Sequence, residues 1–216
     1  MHIPDGYLSP ITYISSYAVA VPLWMVAFKK LKDSLDEESL PLLASLSALS
    51  FVIMMFNIPV PGGTSGHAIG VALISILFGP WIGFLSISLV LFIQALFFGD
   101  GGITSFAVNS LSMGFFGAFS ARFVYDKLKG KSYAPFFAGW VSAVAASFLV
   151  AFVLGIQPLI ASEGGKPLYF PFDLSVTIPA LVGSHMIFFG VVEGIFTALA
   201  LKFLQKNELF SVGEKS

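Results

Sequence analysis

Residues 68–98 read AIGVALISILFGPWIGFLSISLVLFIQALFF, a run of 31 residues, apolar or small apart from Gln94, in which Gly79-Pro80 is the one place a helix must bend or stop. As one kinked helix the run is a single membrane span. As two helices it moves every later segment to the other side of the bilayer. Charge decides between them. The eleven Lys and Arg stand at 29, 30, 32, 122, 127, 129, 131, 166, 202, 206 and 215. With two helices the spans number seven, at about 11–28, 40–56, 67–78, 81–98, 103–121, 134–154 and 175–201, and ten of the eleven cations share one face, leaving Lys166 opposite. With one helix, the cluster at 122–131 lands across from the cluster at 29–32 and the asymmetry collapses. Cytoplasmic loops carry the excess of Lys and Arg. The chain therefore reads as an all-α, polytopic membrane bundle of seven transmembrane helices, amino terminus outside and carboxyl terminus cytoplasmic.

Composition agrees. Of 216 residues, 56% are hydrophobic and 11% charged, against about 25% charged in soluble domains. A single integral membrane domain over 1–216 is expected. The net charge of −1 offers no basic field for a nucleic acid partner. The absence of cysteine excludes disulfides, thiolate metal sites and cysteine nucleophiles. The amino end has no basic segment ahead of its first apolar run, so it is expected to be retained rather than cleaved as a secretory signal. Phenylalanine is frequent, with 24 copies, and reads as ordinary lipid-facing and packing surface.

The third segment is too short. Ala68 to Phe78 gives about 16 Å of helix against a hydrocarbon core of about 30 Å. With its cytoplasmic end at the membrane surface, His67 begins the helix near the middle of the bilayer. The loop from Asn57 to Gly66, with two prolines and three glycines, must then dip inward. Irregular backbone at that depth survives only where it lines a cavity enclosed by protein, and broken spans of this kind mark transporter binding sites.

The first six residues, Met1-His2-Ile3-Pro4-Asp5-Gly6, acquire a meaning from that geometry. Ten residues precede the first span and reach at most about 33–36 Å, enough to fold residues 1–10 back into the bundle as a plug that meets His67. The Met1 amine, the His2 amide nitrogen and a His2 ring nitrogen can chelate one ion through a five-membered and a six-membered ring. His67 supplies a fourth nitrogen. Three donors held near one plane favour Ni²⁺, Cu²⁺ or strong-field Co²⁺, and the amide binds only after losing its proton. Asp5 can fix the turning segment by hydrogen bonds. The plainer alternative makes His2 a wet surface residue and His67 a helix-start residue bonded to its own loop.

Other polar residues lie within the spans. Gln94 and Asn109 either join helices or line the cavity and orient the histidines. His185 and Glu193, about 12 Å apart along one helix, cannot share a small ion and must both face inward. His185 reads as a packing residue or a group that supports the metal ligands, and Glu193 as a lock between helices or a partner contact. Ala44 and Ala48 form a small-xxx-small face that lets another helix approach. The loop from Gln157 to Asp173 either covers the mouth of the cavity or is a solvated connection.

Taken together, the opening hexapeptide, the Gly-Gly-Thr-Ser-Gly-His67 loop, the Gln94-Ala-Leu-Phe-Phe-Gly-Asp-Gly-Gly102 stretch, Asn109 and the His185/Glu193 helix resemble the cobalt and nickel substrate-binding membrane subunits (S components) of energy-coupling-factor transporters. The resemblance covers essentially the whole chain. It implies a six-helix core with one extra amino-terminal helix, in the cell membrane of a prokaryote. It implies Met1, His2 and His67 as metal ligands, and Ni²⁺ or Co²⁺ as transported substrate rather than resident cofactor. It also implies partners, namely a transmembrane coupling subunit docking near Ala44 and Ala48, cytoplasmic ATPases, and a small accessory membrane subunit expected to be separate. The chain has no phosphate-binding Gly-x-x-x-x-Gly-Lys-[Ser/Thr] motif of its own. Two other readings compete. An S component for a vitamin-like ligand needs a roomy cavity, not one filled by residues 1–6. A membrane metalloenzyme built on His67, His185 and Glu193 lacks the His-Glu-x-x-His spacing.

Overall fold

The computed structural model describes residues 1–34 and 36–207. Lys215, one of the cations in the charge count, and the carboxyl terminus lie outside the described residues. The helices are α1 (Pro10–Ser34), α2 (Leu40–Met54), α3 (Val71–Phe78), α4 (Pro80–Phe98), α5 (106–127), α6 (Ala134–Ile160) and α7 (Leu174–Lys206). Among the described residues, α1, α4, α6 and α7 are each long and apolar enough to cross a membrane alone, and α2 is a shorter apolar helix. Proline stands in the first turn of α2, α4 and α6, where its missing N–H removes a donor that has no partner in the helix anyway.

Two short ladders are added to the all-helical expectation. Ile58–Pro59 (β1) pairs antiparallel with Ser65–Gly66 (β2), and Ser162–Glu163 (β3) with Lys166–Pro167 (β4). The first ladder gives the loop between α2 and α3 its backbone partners, as a loop folded among helices requires.

The short helix α3 is the centre of the molecule. Every residue from Val71 to Leu77 is buried, packed among α2, α4, α5, α6 and α7. By contrast α1 is mostly exposed and lies on α4 and α5, fastened where the Trp24 indole N–H reaches Ser88 Oγ at 3.0 Å and Ser110 Oγ at 3.1 Å.

Three helices depart from α-winding. The last turn of α4 (Gln94–Phe98), the middle of α5 (Ser110–Phe116) and two turns of α7 (Ile178–Val182 and His185–Phe189) are π-wound. Such turns disturb the regular hydrogen-bond ladder and cluster at functional sites. Nearby hydroxyls find main-chain carbonyls across helices: Ser142 donates to Gly117 O at 2.9 Å and Ser75 to Ala118 O at 2.7 Å.

One boundary corrects the sequence reading. His67 does not begin the third helix. Residues 67–70 are non-helical and α3 starts at Val71. The residue before it, Gly70, has φ +81°, a left-handed conformation that costs glycine little, and its Cα lies so close to Ser50 that a Cβ would stand 2.4 Å from Ser50 Oγ.

Candidate metal site at the amino terminus

The first nine residues fold into the end of the bundle. Met1 and Ile3 are wholly buried, and His2, Leu8 and Ser9 are at most 4% exposed. Main-chain groups of this segment are held one by one. Asn109 accepts a hydrogen bond from Ile3 N–H at 2.9 Å and donates to Ile3 O at 3.0 Å. Ile3 O also accepts from Gly102 N–H at 3.0 Å and from the Ser105 hydroxyl. Gln157 accepts from Ser9 N–H at 2.9 Å. Over the top, Phe170 N–H donates to Tyr7 O at 3.3 Å and the two rings lie 5.4 Å apart, so the loop between α6 and α7 covers this segment.

Asp5 joins the segment to the start of α5. Its carboxylate accepts from Ile103 N–H at 3.1 Å, from Thr104 N–H at 2.8 Å and from the Thr104 hydroxyl. Partial burial pushes the carboxyl up, but the bonds from Thr104 and Ile103 outweigh it and hold the group below the usual carboxylate range.

The amino group of Met1 is buried and held at Ser65. It donates to Ser65 O, and lies 2.9 Å from Ser65 Oγ. A chain continues outward. Ser65 Oγ donates to Asn57 Oδ1 at 3.1 Å, Asn57 Nδ2 to Asp100 Oδ2 at 2.8 Å, and Asp100 Oδ1 lies 3.1 Å from His2 Nδ1, off the hydrogen-bond direction. Burial pushes the Met1 amine down to about 4, with the Asp100 carboxylate pulling weakly the other way. At neutral pH the amine is uncharged and has a lone pair to give.

Two histidine rings stand beside it. His2 and His67 stack with centroids 4.6 Å apart and planes 19° from parallel. His67 Nδ1 lies 3.0 Å from Ala68 O, which assigns the ring proton to Nδ1 and leaves a lone pair on Nε2. That Nε2 is buried and has no protein partner, and the same holds for His2 Nε2. Buried polar atoms without a partner are rare. Among the described residues no three His, Asp or Glu side chains converge on one point.

Other residues singled out from the sequence are placed as follows. Gln94 is fully buried, with Nε2 3.3 Å from Phe51 O and Oε1 without a partner. Asn109 grips Ile3, not the histidine rings. His185 is buried within α7, its Nδ1 2.7 Å from Leu181 O and its Nε2 without a partner. Glu193 accepts from Ile69 N–H at 2.7 Å and from Gly70 N–H at 3.0 Å. Ala44 and Ala48 line an apolar groove of about 830 Å³ between α1, α2 and α4. Three residues escaped the sequence reading as individuals: Asn57, Ser65 and Asp100. Each lies in a stretch the sequence marked as special, the loop before His67 or the glycine-rich turn after α4, but only their contact across the fold joins them.

The fold places the protein among transition-metal transporters of the membrane. A crystal structure of a truncated transition metal transporter superimposes with a TM-score of 0.93 at 43% identity, covering 96% of this chain and 99% of that one. The chain belongs to the CbiM family, described as the cobalt uptake substrate-specific transmembrane region, whose pattern matches residues 2–209. It is 43% identical to a putative metal transport protein of Methanocaldococcus jannaschii, over all of this chain and 97% of that one. It is 44% identical over 96% of its length to the fused nickel transport protein NikMN of Rhodobacter capsulatus, of which it spans 62%. A cobalt transport protein CbiM of Thermosipho melanesiensis is 27% identical over 99% of this chain and 91% of the relative. The protein is thus a multi-pass membrane transport protein of that family.

Proposed function

We propose that the protein is the substrate-binding component of an energy-coupling-factor importer, capturing Ni²⁺ or Co²⁺ from outside the cell for ATP-driven uptake by its partners. The observation that carries this reading is the buried, uncharged Met1 amine held at Ser65, two residues before a His67 ring whose Nε2 has no partner. Met1, His2 and His67 are the ligands. The amine, the His2 amide and a His2 ring nitrogen form the two chelate rings, and His67 Nε2 closes the plane. The amide proton leaves as the ion binds. Asp100, Asn57 and Ser65 hold the chelating residues in place.

In this reading the seven helices all belong to the membrane domain, with the cation clusters at 29–32 and 122–131 at the cytoplasmic side and the amino terminus facing out. Residues 1–10 are both ligand and wall of the site. A transmembrane coupling subunit, cytoplasmic ATPases and a small accessory membrane subunit complete the importer, with the Ala44/Ala48 face of α2 available to the coupling subunit. Residues 1–3 are packed into the end of the bundle, which favours an ion over a larger ligand as substrate.

The test is metal analysis of protein purified with a free Met1 and loaded with Ni²⁺ or Co²⁺, with an absorption spectrum to report geometry. One ion per chain and a planar nitrogen-rich spectrum are expected, and His67→Ala should hold the ion far more weakly, on the chelate of residues 1 and 2 alone, with a shifted band. Tight stoichiometric metal in His67→Ala would sink the site.

A further inference from the structure

Glu193 is a carboxylate buried in the middle of α7, with no ion-pair partner among the described residues. Its oxygens are spent on one short segment of main chain. Oε2 accepts from Ile69 N–H at 2.7 Å, and both oxygens lie within 3.1 Å of Gly70 N. These N–H groups belong to the turn that opens α3, where the helix has donors with no partner of its own and a partial positive charge. A buried carboxylate is stable only when such donors surround it.

The segment it grips begins two residues after His67. Between them stands Ala68, whose carbonyl receives His67 Nδ1 at 3.0 Å. The links therefore run in a line. Glu193 fixes the peptides of Ile69 and Gly70, these carry the Ala68 carbonyl, and that carbonyl sets the tautomer and direction of the His67 ring. Such outer contacts orient a metal-binding imidazole as much as its own backbone does. Glu193 and Ile69 are 124 residues apart in sequence, so the same contact ties the histidine loop to α7.

We propose that Glu193 is the positioning residue of the metal site, holding His67 Nε2 where it completes the coordination plane begun by Met1 and His2. The inference rests on the metal site proposed above and adds to it a residue that does not touch the ion. It also gives α7 a direct hold on the fourth ligand. Movement of that helix would be felt at His67 before it is felt at the chelate on residues 1 and 2.

The experiment uses full-length protein with a free Met1, loaded with Ni²⁺, comparing wild type, Glu193→Gln, His67→Ala and the double variant. Gln offers one carbonyl acceptor where Glu offers two anionic oxygens. Glu193→Gln should keep one ion per chain on the chelate of residues 1 and 2. It should release the ion at least tenfold faster, with its absorption band moved to longer wavelength toward that of His67→Ala. In the His67→Ala background, Glu193→Gln should change release less than twofold, because the residue acts only through that ring. Glu193→Asp, keeping both oxygens, should lie between wild type and Glu193→Gln. A folded Glu193→Gln with the wild-type band and release rate overturns the proposal, as does a loss that adds fully to that of His67→Ala. Failure of both Glu193 variants to fold makes the residue part of the framework alone and overturns it as well. Wild type that binds no metal refutes the site itself, a result distinct from any of these.

Discussion

The side-chain amide of Asn109 clasps the peptide groups of Ile3 at both ends, accepting from its N–H at 2.9 Å and donating to its C=O at 3.0 Å. An asparagine inside a helix thus replaces the pairing a strand would have given the amino-terminal segment. Asn109→Leu leaves Ile3 N–H buried without a partner, a loss of about 1–3 kcal/mol. Because Ile3 follows the chelating residues directly, metal affinity should fall about 10- to 100-fold. Titration of the purified variant checks this, and unchanged affinity would show that the clamp does not set the site.

The Met1 amine ties docking of the segment to pH. Docked, it titrates at about 4, whereas a released α-amino group titrates near 8. Between these values the released state holds one proton more than the docked state. Docking therefore strengthens as pH rises, by about 1.4 kcal/mol per unit, and is weakened progressively on going from pH 8 down towards 4. Hydrogen exchange at the Ile3 amide, corrected for its intrinsic rate, should show protection rising with pH over this window. A flat or reversed profile contradicts the buried amine.

An extra residue ahead of Met1 converts the amine to an amide and puts more chain where Met1 is wholly buried. Such an extension should abolish stoichiometric metal, and its proteolytic removal should restore it. Equal metal content before and after removal would exclude the amine as a ligand.

Gly102 lies close beneath Asp5. A Cβ there would stand 2.3 Å from Asp5 Oδ1 and 2.4 Å from Asp5 N. The second of these is backbone, so Gly102→Ala must push Asp5 away from Ile103 and Thr104. Metal affinity should drop at least tenfold, and the first residues should become open to proteases. Gly183→Ala, in α7 at φ −59° with nothing within 4 Å of its Cβ, is the matched control and should bind metal as wild type does.

Much of the site was legible because it rests on length and position. A helix too short for its membrane, a loop of prolines and glycines before His67, and a histidine at position 2 within reach of it are properties of the chain alone. The role of Asn109 was only half legible. A buried amide in an apolar helix must find a partner, but nothing local says that the partner is Ile3, 106 residues away. The start of α3 was placed too early for a similar reason. Apolar periodicity continues back to Ala68, while the carboxylate of Glu193 holds Ile69 and Gly70 out of the helix.

The sequence by itself determined the membrane class, the helical segments and the chelating capacity of Met1 and His2, because hydropathy, charge placement and covalent spacing need no neighbours. Tertiary structure alone decided that the amino group lies buried against Ser65, that the His2 and His67 rings stack 4.6 Å apart, and that Asp100, Asn109 and Glu193 converge on residues 1–3 and 67–70. Those contacts join distant parts of the chain. They exist because buried polar groups must be paired, and which partner each one finds is settled only when the helices pack.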